Sequence, residues 1–230
     1  MPWFIPRAGF LERLNDDEKM RLGQICPPRN HDKGEAIFRS GDTCDELTIV
    51  LEGMLKVVRQ GAAGNERILH LSGPGDILGA EFIEEGAVYQ ADAVCTSDKV
   101  TICPINRYQF IQVARELPQV ALSLVGSLAA HLTHLEDQLE SATAPVIVRL
   151  SGVLVWMARR FGRQDGDGWV SIESELRHED LAAFSGSTRV TVTQTLSRLR
   201  ELGLVEGTRG RYRVRLAELE ALSEDLLWNN

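Results

Sequence analysis

Residues 186–199 read GSTRVTVTQTLSRL, a run rich in arginine, hydroxyl and β-branched side chains and free of carboxylates. Each of these types has a task on the edge of a DNA duplex. Arginine gives two parallel hydrogen bonds to guanine O6 and N7, glutamine meets adenine or a phosphate, a valine or threonine methyl packs on the thymine methyl, and hydroxyls bond phosphate oxygens. Ser187, Thr188, Arg189, Val190, Thr191, Thr193, Gln194 and Arg198 are therefore the candidate DNA contacts, joined by Arg209 and Arg211 a few residues on. The stretch VTVT is poor helix material by propensity. Packing must hold it helical, which points to a specific role for its side chains.

Charge distribution points the same way. The formal net charge is −8, which argues against indiscriminate binding to phosphates. Residues 188–215, however, carry 7 arginines against only Glu201 and Glu206, and residues 144–215 carry 12 arginines against 8 acids. Residues 1–143 hold 13 Lys/Arg against 21 Asp/Glu, and residues 216–230 hold 4 acids and no base. The chain is an acidic body with a basic end, and 230 residues suit two modest domains.

The reader needs elements to position it. A helical pattern, RHEDLAAFSG, opens at Arg177 and stops at Gly186; a second helix follows with Val192, Leu196 and Leu199 as its buried face; VEGTRGRYRVR then gives two short strands around a glycine turn. That order is a helix-turn-helix with a wing. Upstream, VIVRLSGVLVWMARRFG reads as a strongly apolar helix after Pro145, followed by the loop QDGDGW and a strand over VSIES. Before Pro145, a helix beginning near Leu117 with Pro118 in its first turn places Val125, Leu128, Leu132, Leu135, Leu139 and Ala142 at alternating intervals of 3 and 4. This is a coiled-coil seam, and its narrow stripe with polar flanks suits a second copy of the helix.

From Gly34 to Pro104 the chain alternates short β-rich runs with turn signals such as SGD, SGPGD and TSDK, as an antiparallel sandwich or roll requires. A short helix over DDEKMRLGQIC precedes it. The expected fold is thus α+β: an antiparallel β-roll over 1–116, a dimerisation helix over 117–143 and a winged helix-turn-helix over 144–230. The acidic tail LAELEALSEDLLW is expected to be a helix packed on the winged domain or on its dimer partner.

Other chemistries are poorly served. Cys26, Cys44, Cys95 and Cys103 form no compact ligand set and read as reduced, partly buried thiols, with Cys95 and Cys103 expected on neighbouring strands and the only pair worth testing for redox behaviour. His131 and His134 lie three apart on a helix, better read as a solvated pair than as metal ligands, and no metal is expected. No G-x-S-x-G, P-loop or H-E-x-x-H occurs, nor the H-x-H with a following glutamate that a cupin-type metal enzyme would need, so catalysis is not expected. No run is long enough to span a bilayer and no export leader is evident, which places the chain in the cytoplasm, away from membranes.

The glycine pattern KGEAIFRSGD, LEG, GPGDILG and EEG in the roll, followed by GSTRVTVT in the reader, resembles the Crp/Fnr family of bacterial transcription regulators over roughly residues 15–215. The reader is similar to that of the family's cyanobacterial nitrogen-regulator branch. The resemblance implies a cyclic-nucleotide-binding-like roll and a homodimeric activator that binds a palindromic promoter site and contacts RNA polymerase. By position, Arg189 would grip a guanine, with Thr188, Thr191 and Gln194 making nearby contacts. Val190 stands where the catabolite-activator branch has a glutamate, which shifts that base pair toward A·T.

The family's cyclic-nucleotide binders carry a glutamate for the ribose and an arginine for the phosphate. Here Gly79 is in place, but Ala80 takes the glutamate's position with Glu81 displaced by one, and Tyr89 and Gln90 replace the arginine pair. On the long helix, Leu135 and Glu136 stand for the Thr–Ser pair that touches adenine. A buried anion without a cation loses several kcal/mol, roughly, to desolvation. Cyclic AMP and 2-oxoglutarate are therefore not expected, no haem or iron–sulfur signature is present, and the reading is a regulator that acts without a cofactor. A ligand-dependent regulator of the same fold, sensing a cyclic nucleotide or another small molecule, is the alternative.

Overall fold

The computed structural model describes residues 9–61, 66–174, 176–208 and 210–228. The chain divides into two compact units, one spanning Arg7–His134 and the other residues 135–230, with the division inside a long helix.

The first unit opens with helix α1 (Asp16–Ile25), whose Asn15 accepts from the Glu18 amide while the Glu18 carboxylate takes the Asn15 amide. This capping box satisfies two amides the helix start would otherwise leave bare. Among the described residues eight strands follow: β1 (Arg29–Asp32), β2 (Ala36–Phe38), β3 (Glu46–Glu52), β4 (Leu55–Gln60), β5 (Glu66–Ser72), β6 (Ile77–Leu78), β7 (Asp92–Cys95) and β8 (Lys99–Asn106). They form two antiparallel sheets of order β1-β8-β3-β6 and β2-β7-β4-β5. Apolar side chains from both, among them Val50, Leu55, Leu78, Ala93, Val100 and Ile102, fill the space between. A second cluster, with Phe10, Leu22, Leu47, Ile49, Phe82, Phe110 and Val120, packs the flanking helices onto the roll.

Two expectations need correction. Between the roll and the long helix stands helix α2 (Arg107–Glu116), which periodicity had not marked; Asn106 and Gln109 close its first turn as a capping box, and Phe110 and Val113 bury its inner face. Cys95 and Cys103 are not on neighbouring strands, because consecutive strands β7 and β8 belong to different sheets. Cys103 is instead joined in a disulfide to Cys26, at the end of α1, with Cα atoms 5.4 Å apart. Cys44 and Cys95 are free and buried.

Helix α3 (Pro118–Ser141) carries the expected stripe: Val125, Leu128, Leu132 and Leu139 are between 43% and 75% exposed, and Leu122 extends it by a turn. Such a row of apolar groups facing water is the signature of a surface made to be covered.

In the second unit, helix α4 (Val146–Phe161) buries Val148, Leu150, Leu154, Val155, Met157 and Ala158. Strands β9 (Arg163–Gln164) and β10 (Trp169–Glu173) follow, then helix α5 (His178–Ser185), helix α6 (Arg189–Glu201), strands β11 (Val205–Thr208) and β12 (Arg211–Arg215), and helix α7 (Leu216–Trp228). The four strands form one sheet of order β11-β12-β10-β9. The acidic tail is helix α7, which packs on α4 through buried Leu219 and an Arg159–Glu220 ion pair in which the Arg159 Nε donates at 2.6 Å.

Candidate nucleic-acid interface

Helix α6 is built in two halves. Val192, Leu196 and Leu199 are fully buried, so the other side of the helix must face outward. That side carries Arg189, Val190, Gln194, Ser197 and Arg198 in the open, with Thr191 half-buried. The VTVT stretch is helical because two of its members are used structurally. Val192 is in the core, and Thr193 donates its hydroxyl to the Arg189 carbonyl at 2.8 Å, a back-bond that removes it from competition with the helix ladder.

The turn before α6 is fixed from three directions. Gly186 ends α5 in the left-handed region at φ +61, a conformation glycine adopts without penalty. The Ser187 amide donates to the Ala182 carbonyl at 2.9 Å, and half-buried Ser187 thereby closes the turn. Arg149 of α4 donates from Nε to the Ser185 carbonyl at 2.8 Å, from Nη2 to the Gly186 carbonyl at 3.2 Å and from Nη1 to the Ala144 carbonyl at 2.5 Å. Thr188 is the N-cap: its hydroxyl oxygen accepts from the Thr191 amide at 3.1 Å, and the two hydroxyls lie 2.8 Å apart.

The candidate contacts thus fall into two groups. Ser187, Thr188 and Thr193 shape the reader, while Arg189, Val190, Gln194 and Arg198 are presented by it, the last in an exposed ion pair with Glu201 at 3.1 Å. On the wing, Arg211 is exposed, and Arg209 lies outside the described residues. Arg213 of β12 is held by Asp165 at 2.6 Å and Glu206 at 2.8 Å and lies over the Trp169 ring, as Arg215 also does. The Arg213 charge is paired within the protein, at the surface. Arg200 holds the hairpin to the reader by donating from Nε and Nη2 to the Gly207 carbonyl at 3.2 and 2.9 Å. Sequence reasoning missed Arg149, Arg200 and the first turn of α5, since their partners lie on other elements and leave no local spacing signal.

In the roll, Gly79, Ala80 and Tyr89 come together. Gly79 adopts φ +72, and a Cβ there would stand 2.8 Å from Tyr89 Cε1 and 3.0 Å from the Glu46 carbonyl oxygen. The Tyr89 ring stacks on Phe38 with centroids 3.7 Å apart, and its hydroxyl donates to the Glu46 carbonyl at 3.1 Å. Burial, then the neighbouring Cys44, raises the Tyr89 pKa, so the phenol stays neutral. Glu81 and Gln90 are exposed, and Arg59 Nε holds the Gln90 carbonyl at 3.2 Å. Leu135 is half-buried and Glu136 exposed on the second unit's part of α3.

Within the first unit, α3 packs Val120 and Leu124 into the cluster that holds Leu47, Ile49 and Ile105, and further along the helix the His131 ring lies edge-on to His70 of β5 with centroids 4.6 Å apart. Burial, followed by the charges of His131 and His134, lowers the His70 pKa to about 3; burial and then His131 lower that of His134 to about 4. These imidazoles are neutral at pH 7, and His131 and His134 are not the solvated pair that sequence suggested. Among the described residues, no three His, Cys, Asp or Glu side chains are placed to hold a metal ion, and no helix is long and apolar enough to cross a membrane.

A ligand-type antiparallel roll, a long exposed-stripe helix and a winged helix-turn-helix together define a DNA-binding regulator. Comparison with known proteins agrees. Residues 28–116 match the cyclic nucleotide-binding domain and residues 148–224 the Crp-like helix-turn-helix domain. The chain is 30% identical to the cyclic AMP receptor protein of Thermus thermophilus over 83% of its own length and 85% of the relative's. It is also 30% identical to the global nitrogen regulator of Synechocystis, covering 82% of this chain and 86% of that one. Among solved structures, a CooA mutant from Carboxydothermus hydrogenoformans superposes with a TM-score of 0.75 at 19% identity, covering 96% and 98% of the two chains, a likeness of fold. The chain belongs to the Crp/Fnr family of transcription regulators, and its domains and relatives are those of regulators and not of enzymes.

Proposed function

We propose that this regulator binds a palindromic promoter site as a homodimer, in the cytoplasm, and activates transcription through contact with RNA polymerase without cyclic AMP. The outward row of α6 carries the reading: four presented side chains, Arg189, Val190, Gln194 and Arg198, on a helix whose opposite side is wholly buried. Arg189 takes a guanine in each half-site, and Val190 meets a thymine methyl at the neighbouring pair. Two such helices enter major grooves one helical turn apart when the exposed stripe of α3 pairs with a second copy. Arg211 and Arg209 supply phosphate contacts from the wing, and the chain divides functionally into the roll over 1–116, the pairing helix over 117–143 and the reading domain over 144–230.

Independence from cyclic AMP is supported by Tyr89. Its ring lies against Gly79, its hydroxyl is bonded to Glu46, and no cation from the Tyr89–Gln90 pair faces inward to neutralise a phosphate.

Selection of bound DNA from a random pool tests both parts. Purified full-length protein is expected to enrich one palindrome with a fixed guanine in each half, equally with no addition, with cyclic AMP and with 2-oxoglutarate. Enrichment only with an effector would overturn ligand independence; no palindrome under any condition would overturn the dimeric reader.

A further inference from the structure

We propose that Glu179, in the first turn of α5, aims Arg189 at the DNA and so sets how strictly the protein demands guanine in its half-site. This rests on the reading of Arg189 as the guanine contact. Glu179 Oε1 lies 3.0 Å from Arg189 Nε, and the two side chains are 58% and 70% exposed.

A guanidinium offers two forks, Nε with one Nη along its side and the two Nη groups at its end. With Glu179 on Nε the side fork is taken. The end fork is left to meet guanine O6 and N7.

The same turn of α5 also fixes the backbone of Arg189. Thr193 donates its hydroxyl proton to the Arg189 carbonyl at 2.8 Å, so its oxygen can only accept from His178 Nδ1, 3.0 Å away. His178 therefore carries a proton on Nδ1. Burial, then the charge of Arg200, lowers the His178 pKa, which favours the neutral ring with that single proton at neutral pH. Two adjacent residues of α5 thus hold Arg189, His178 through Thr193 at its carbonyl and Glu179 directly at its guanidinium.

An exposed ion pair is too weak to withhold the arginine from a base. It does reduce the freedom the side chain must lose on meeting the guanine. The same carboxylate, close to the phosphates, repels the DNA backbone whatever its sequence. Its removal should therefore move specificity and general affinity in opposite directions, which a merely structural residue would not do.

The test compares wild type, Glu179→Ala, Glu179→Gln and Arg189→Ala on the selected palindrome, on the same DNA with the half-site guanine replaced by adenine, and on unrelated DNA. Wild type is expected to prefer guanine roughly ten- to a hundredfold. Glu179→Ala should cut that preference several-fold while binding unrelated DNA more tightly. Glu179→Gln, which keeps an oxygen to accept from Nε, should recover most of the preference and retain the tighter general binding. A preference unchanged or sharpened in a folded Glu179→Ala variant overturns the proposal alone, provided Arg189→Ala loses it. Arg189→Ala that still prefers guanine overturns the reading of Arg189 and this proposal together.

Discussion

The half-buried imidazoles of His70, His131 and His134 show how a single residue type changes meaning with its surroundings. His70 would titrate near 6.5 in water, yet burial and the neighbouring His131 and His134 bring it to about 3. The unfolded chain then binds a proton that the folded chain refuses. Stability is full above about pH 6.5 and is lost as pH falls toward the folded value, at about 1.4 kcal/mol per pH unit for each such group. We expect the urea midpoint to drop between pH 7 and pH 5 by an amount worth about 2 kcal/mol for His70, and His70→Leu to flatten the slope. Wild-type midpoints that match at the two pH values would contradict this.

The elements are fastened by contacts that cross between them. Cys26 closes the end of α1 onto β8, 77 residues away in sequence, and both sulfurs are buried in the cluster that packs the flanking helices onto the roll. Closing a loop of that length restricts the unfolded chain and stabilises the fold by about 2–4 kcal/mol. Oxidised protein unfolded without reductant should therefore expose two reactive thiols, from Cys44 and Cys95, and four after reduction. Its melting midpoint should fall by several degrees with dithiothreitol, whereas Cys26→Ser should melt alike with and without it. Four thiols in the unreduced protein would sink the expectation. In the reading domain, Arg149 and Arg200 play the corresponding part, tying α4 to the turn and α6 to the wing.

At the scale of the whole molecule, the proposed homodimer rests on the exposed stripe of α3. A lone reader makes too few contacts for tight specific binding, and linking two converts the second binding event into an intramolecular one worth about 10²–10⁴ in affinity. Placing a charge at Leu132, 58% exposed in the single chain, should break the pairing. Leu132→Asp is expected to sediment as a monomer, to bind the full palindrome at least about a hundredfold more weakly, and to keep the wild-type affinity for an isolated half-site. A dimeric Leu132→Asp with undiminished affinity would exclude this face as the interface.

The sequence by itself determined the order of domains and the reader's orientation. Turn glycines, β-rich runs, the 3-and-4 spacing on α3 and the Val192–Leu196–Leu199 face are periodic signals, and periodicity reports which side of an element is buried. Gly79, Ala80 and Tyr89, which the structure brings together, were marked by the family resemblance and not by any periodicity. Helix α2 went unread, although its ten residues make nearly three turns and bury Phe110 and Val113. What only the tertiary structure decided were the partnerships between distant residues: Cys103 with Cys26 in place of Cys95, Arg213 spent on Asp165 and Glu206, His131 against His70, and Glu179 beside Arg189. Periodicity fixes the face a side chain occupies; what stands opposite that face is set by how the elements pack, and no local spacing encodes it.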